Sequence, residues 1–148
     1  MARLPLVIYP ADILIRKSAA VTAIDQDIVD FVENMRETMY ASNGIGLAAP
    51  QVARNIRVIT IDVEPDTNGK AFMHLINPVI LDSYGKTTYD EGCLSFPGLV
   101  AEVRRKKQLH VQAYDIHGKL IDFEADGLLA ICMQHELDHL NGVTFVDR

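Results

Sequence analysis

Gln134-His135-Glu136-Leu137-Asp138-His139 decides how this chain is read. Two histidines stand four residues apart, with a glutamate directly after the first. On an α-helix, positions i and i+4 lie one above the other on one face, so His135 and His139 can aim their imidazoles at one point. Two neutral imidazoles at that spacing make half of a tetrahedral metal site, and Glu136 is placed to handle the proton of a water that such a metal activates. A His-Glu-x-x-His run on a helix is a zinc metalloprotease signature. A pattern with so few fixed positions also arises by chance, in a helix that merely contains two histidines.

The surrounding residues predict that helix from about Gly127 to Leu140, with Asp126 as N-cap and Gly142 just past its end. Leu128, Cys132, His135 and His139 follow i, i+4, i+7 and i+11, so the histidines share the face expected to be buried. One core histidine satisfied by backbone partners would be ordinary. Two stacked ones flanked by a glutamate are costly to bury without a shared purpose such as a metal.

Upstream, Ile28, Val29, Val32, Met35 and Met39 fall at helical spacing and predict a helix from about Asp25 to Ser42, stopped by Asn43-Gly44. Gly44-Ile45-Gly46-Leu47 reads as a glycine-rich loop. Arg57 to Val63, Met73 to Asp82 and Thr87 into Cys93 read as strands. Lys107 to Asp115 and Lys119 to Glu124 flank His117-Gly118, a hairpin turn. Strands followed by a helix, with little βαβ alternation, predict an α+β fold in which antiparallel strands pack around the C-terminal helix. No repeat or linker divides the chain, so one catalytic domain over residues 1–148 is expected.

Composition narrows the function classes. The 148 residues are 49% hydrophobic and 23% charged, as in an ordinary globular domain. A net charge of −6 argues against binding a nucleic-acid backbone, which needs a Lys/Arg surplus. Arg104-Arg105-Lys106-Lys107 is the one basic run, read as a solvated strand end. Leu4 to Ile15 is broken by Pro5 and Pro10 and does not read as a signal peptide, and no stretch approaches the roughly 18 apolar residues of a membrane span. Cys93 and Cys132 are too few for a disulfide framework, which points to the cytoplasm or an organelle matrix.

A catalytic metal site needs a third protein ligand and an open position. Zinc proteases of this motif take a distant Glu or His; the candidate here is Cys93, in Glu91-Gly92-Cys93-Leu94-Ser95-Phe96-Pro97-Gly98. A lone cysteine is more often a small buried hydrophobe. Its setting favours a ligand, because Gly92 allows close backbone approach and the amides after Cys93 can point into the same site.

Three motifs together resemble the peptide deformylase family: Gly44-Ile45-Gly46-Leu47-Ala48-Ala49-Pro50-Gln51, Glu91-Gly92-Cys93-Leu94-Ser95, and Gln134 to His139. They stand in the family's order with similar intervals. Tyr9-Pro10 and Leu14 to Ala19 also look like the family's opening, so the resemblance covers nearly the whole chain. It implies a metal-dependent hydrolase that removes the N-formyl group from the initiator N-formylmethionine of new polypeptides, releasing formate. It assigns Cys93, His135 and His139 as metal ligands and Glu136 as acid/base. Gln51 and the Leu94 N–H would hold the oxyanion, and Gly46 would supply a backbone contact in the cleft. Glu91 would pair with Arg105 rather than Arg104. Ile45, Tyr89, Leu128, Ile131 and Cys132 would form the methionine pocket; simple core packing is the alternative for these five.

The resemblance also implies one divalent ion per chain, Fe2+ in the cell, with Ni2+ or Co2+ as workable substitutes and Zn2+ poorer. The expected partners are N-formylmethionyl nascent peptides at the ribosome, with the chain itself a monomer. The sequence stops at Arg148, where many relatives continue; all three motifs lie upstream, so the chemistry is expected to survive. Two competing readings are a metallo-endopeptidase and a non-catalytic binding module held together by a metal. Cys93 speaks against the first, Glu136 and Gln51 against the second.

Overall fold

The computed structural model describes residues 3–147, and its first long element follows from local sequence. Helix α1 (Gln26–Ala41) starts where the Asp25 carboxylate accepts the Ile28 N–H at 3.1 Å. Its buried side carries Ile28, Phe31, Val32, Met35 and Met39. The expected stop falls on Asn43, at φ +57°. Asparagine tolerates that left-handed backbone better than most side chains.

The strands are β1 (Gly46–Ala48), β2 (Val58–Ile61), β3 (Met73–Tyr84), β4 (Thr87–Cys93), β5 (Phe96–Arg105), β6 (Gln108–Tyr114) and β7 (Leu120–Asp126). β1-β2-β3-β6-β7 form one sheet and β4-β5 a second, antiparallel throughout. The β6–β7 hairpin turns where predicted. Gly118 sits at φ +74°, and the Asp115 carboxylate accepts the His117 and Lys119 N–H groups at 2.8 and 3.0 Å.

Two expectations change. The glycine-rich stretch is not all loop, because Gly46–Ala48 pairs with the fully buried β2, Gly46 opposite Ile61. Ladder pairing beside a buried strand outweighs the low strand propensity of glycine. β5 also escaped the sequence reading except for a strand end at Arg104-Arg105. Pro97 and Gly98 look like breakers, and only Phe96, Val103 and Arg105 of the strand are buried, too sparse for a period-two pattern. Pairing with β4, from Thr87 opposite Arg105 to Gly92 opposite Val100, makes the strand.

Helix α2 (Gly127–Leu140) is buried from Ala130 to Leu140 except for half-buried Gln134. Ala48, Ile59, Ile61, Leu75, Leu109 and Val111 of the large sheet pack with its Ala130, Met133, Leu137 and Leu140. Asp126 takes the cap position but makes no side-chain cap bond. The far end closes as expected on Gly142, at φ +72°. Its N–H bonds the His139 C=O at 3.2 Å and the Val143 N–H bonds the Asp138 C=O at 2.8 Å. A Cβ on Gly142 would lie 2.6 Å from the Ile15 carbonyl oxygen, so the N-terminal segment locks this end of α2. Among the described residues no helix is long and apolar enough to cross a membrane.

Candidate metal centre

α2 turns polar side chains into the interior, and the end of β4 meets them there. His135 and His139 bring their Nε2 atoms to 3.2 Å of each other, and Cys93 Sγ lies 3.3 Å from His139 Nε2. The three ligand atoms all fall within 4.8 Å of one another. Metal bonds of about 2.0–2.3 Å to nitrogen and sulfur put tetrahedral ligands roughly 3.3–3.7 Å apart, so this cluster is near the size one ion needs. Burial works against a proton on His135, but its contacts with Cys93 and Glu91 and the charge of Glu136 outweigh that and push the ring up to about 10. His139 goes the other way, down to about 3, through burial and then the charges of His135 and Arg105. The two rings respond in opposite directions, and what favours a cation is that one thiol and two imidazole nitrogens converge on one point.

The residues around the cluster hold it in place. His135 Nδ1–H donates to Glu91 Oε1 at 2.8 Å, which leaves Nε2 as the lone-pair atom facing the cluster. Arg105 donates from Nε and Nη2 to the two Glu91 oxygens, both at 2.7 Å, and from Nη1 to Asp138 at 2.6 Å. Burial would raise the Glu91 carboxyl, but the Arg105 and His135 hydrogen bonds overcome it and bring it down to about 2. Arg105 is thus the expected partner of Glu91, and the solvated reading of the basic run fails at this residue. Arg104 stays exposed.

Glu136 follows His135 and is fully buried. Its Oε1 has no hydrogen-bond partner among the described residues. Burial pushes its carboxyl up to about 7, with the His135 charge pulling against it. Gly46 makes room for this group, since a Cβ there would lie 2.4 Å from Glu136 Oε2 and 2.7 Å from Cys132 Sγ. Gln51 Oε1 accepts the Ala48 N–H at 2.9 Å, and its Nε2 lies 3.2 Å from Ser95 Oγ and 3.5 Å from Cys93 Sγ. That anchors the amide beside the cluster.

A cavity of about 630 Å³ opens onto these groups. Gly46, Gln51, Cys93, Leu94, His135 and Glu136 line it, and His139 sits behind them, 1% exposed. Ile45, Tyr89, Glu91, Leu128, Ile131 and Cys132 line it too, so the structure brings all the sequence-predicted residues to one place. The Glu91 carboxylate, however, is directed to His135 and Arg105, as a support for the cluster. Sequence reasoning missed Ser95, Asp138 and the β5 rim residues Leu99 and Val100. Asp138 had a signal, standing three residues after His135 on the same side of a helix. The rim had none without β5.

The polypeptide deformylase family pattern matches residues 3–148. The chain belongs to that family. The peptide deformylase of Thermodesulfovibrio yellowstonii is 44% identical over the whole chain and 90% of its own length, and that of Syntrophobacter fumaroxidans 42%, over 87% of its own. The crystal structure of the Thermotoga maritima peptide deformylase superposes with a TM-score of 0.93 at 36% identity, covering 99% of this chain and 97% of that one. The Synechococcus elongatus enzyme in complex with actinonin gives 0.95 at 42%, covering 98% and 79%. The α+β fold with its C-terminal helix is the deformylase fold. The function is that of the family, hydrolytic removal of the formyl group from N-formylmethionyl peptides, and the family uses a catalytic metal.

Proposed function

We propose that residues 1–148 act as one catalytic domain in which Cys93, His135 and His139 hold one divalent metal, Fe2+ in the cell. Zn2+, Ni2+ and Co2+ suit the same thiolate and imidazole ligands. When bound, the metal polarises the attacking water and the formyl oxygen. Glu136 takes the water proton as the formyl carbon is attacked and passes it to the departing methionine nitrogen. The observation that carries this role is the buried, unpartnered Oε1 of Glu136, with the carboxyl near 7, on the residue next to a ligand. A closed structural metal site would have no use for it, which speaks against the binding module.

The Gln51 amide and the Leu94 N–H stabilise the oxyanion as the carbon becomes tetrahedral. Gln51 is pre-set for this, since its own oxygen is fixed by the Ala48 N–H. Gly46 offers backbone contact to the peptide, and Ile45, Tyr89, Leu128, Ile131 and Cys132 receive the methionine side chain. Glu91 orients His135. The substrates are nascent N-formylmethionyl chains at the ribosome, in the cytoplasm or an organelle matrix, and the enzyme works as a monomer.

Formate release from formyl-Met-Ala-Ser tests the reading, with acetyl-Met-Ala-Ser and casein as controls. Turnover of the formyl peptide alone is expected. Casein cleavage without formate release would overturn it in favour of an endopeptidase.

A further inference from the structure

Gln51 stabilises the oxyanion in the scheme above, and a buried serine that touches it has no part there. Ser95 lies in the turn between β4 and β5, fully buried, with its Oγ 3.2 Å from Gln51 Nε2. The Gln51 amide cannot be turned over, because Oε1 faces the Ala48 N–H at 2.9 Å and only an oxygen can accept there. Nε2 therefore donates one hydrogen to the Ser95 hydroxyl. Its second N–H is left on the side of Cys93 Sγ, 3.5 Å away. A cysteine sulfur is a weak acceptor, so an oxyanion forming beside the ligands can take that hydrogen over.

The last torsion of a glutamine side chain has only a broad preference, and a single hydrogen bond leaves the amide room to swing. Bonds at both ends, to the Ala48 N–H and the Ser95 hydroxyl, set its plane. The main chain keeps the two residues in register. The Val7 N–H bonds the Gln51 C=O at 2.7 Å, and the Tyr9 N–H bonds the Ser95 C=O at 2.9 Å. Loss of the Ser95 hydroxyl would leave both of these links in place.

We propose that Ser95 is a positioning residue for the oxyanion donor: its hydroxyl holds the Gln51 amide with one N–H directed to where the formyl oxygen becomes negative. The proposal rests on the reading of Gln51 as that donor. A donor fixed beforehand need not reorganise as charge develops, so the effect of Ser95 falls on the transition state and passes through Gln51.

A double-mutant cycle on metal-loaded enzyme separates this role from plain packing, with formate release from formyl-Met-Ala-Ser and metal content as readouts. Ser95→Ala should lower kcat about 2–10-fold, the rate equivalent of one neutral hydrogen bond, with KM and metal content at the wild-type level. In the Gln51→Ala background the same substitution should lower kcat no further. Ser95→Cys, which fills the same space with a weak acceptor, is the second variant and should follow the same pattern. An unchanged kcat, a loss confined to KM, a loss that tracks missing metal, or an equal loss in both backgrounds would overturn the proposal. Failure of both variants to fold would make the hydroxyl structural and overturn it as well. If Gln51→Ala itself kept the wild-type kcat, the reading of Gln51 would fail, and the proposal with it.

Discussion

The two long helices pack into separate clusters of the core and are built on opposite plans. α1 buries Ile28, Phe31, Val32, Met35 and Met39 and leaves Gln26, Asp27 and Asp30 exposed. Apart from Thr38, whose hydroxyl is hydrogen-bonded to the Asn34 C=O and the Leu4 N–H, its buried side is apolar. α2 buries Met133, Leu137 and Leu140, but also His135, Glu136, Asp138 and His139. Four titratable side chains in one buried turn and a half oppose folding unless each has a partner. The difference separates a helix selected for stability from one that gives up stability for chemistry. Substitutions in the two should therefore fail in different assays.

The largest effect is expected at Glu136. Glu136→Gln should lower kcat by about 10²–10⁴-fold, the range for a lost general acid/base, while metal content stays at wild type. Melting temperature should hold or rise, because a buried carboxyl that can ionise is replaced by a neutral amide of the same shape. Near-normal formate release from the metal-loaded variant would erase the contrast between the helices.

Next comes Gln51, which lies outside both helices but beside the ligands of α2. Gln51→Ala should reduce kcat by about 10²–10³-fold and raise KM much less, if the amide contacts the oxyanion mainly in the transition state. Steady-state kinetics on formyl-Met-Ala-Ser would decide; a change confined to KM would make it a ground-state binding residue.

α1 should give the converse. Met35 is fully buried, and Met35→Ala should cost about 2–5 kcal/mol of unfolding free energy in urea titrations, with kcat per folded molecule unchanged. A large kcat loss at full folding would show that α1 is not merely structural.

The smallest effect concerns pH. Glu91 sits near 2 in the fold against its usual 4.5, so its contribution is fully present above about 4.5 and is lost as pH falls toward 2. Glu91→Gln should flatten that part of the stability profile of the metal-free protein. A profile of unaltered slope would mean that the ion pair with Arg105 does not form.

α1, β2, β3, β4, β6, β7 and α2 were legible in the sequence because apolar runs, periodicity and turn residues mark where such elements begin and end. β5 was not, since a hairpin strand with mostly exposed residues carries no such signal, and Pro97-Gly98 argues locally against it. The site was legible where its residues lie in short runs, as at His135, Glu136 and His139. Cys93 was a candidate from its setting after Gly92, whereas Gln51 and Gly46 came from the resemblance, because nothing in the sequence alone shows that residue 46 must leave space for Glu136 Oε2. Asp138 and Ser95 needed the three-dimensional contacts. Each acts on a residue far away in the chain, on Arg105 in the one case and Gln51 in the other.

The central claim is that the buried polar residues of α2 serve metal-dependent deformylation. Its most direct test is formate release from formyl-Met-Ala-Ser before chelation, after chelation, and after anaerobic return of Fe2+. The account predicts turnover that vanishes with the chelator and returns with the ion, and no recovery in Cys93→Ala, which lacks the thiolate ligand. Formate release that persists in chain shown to be metal-free would contradict it.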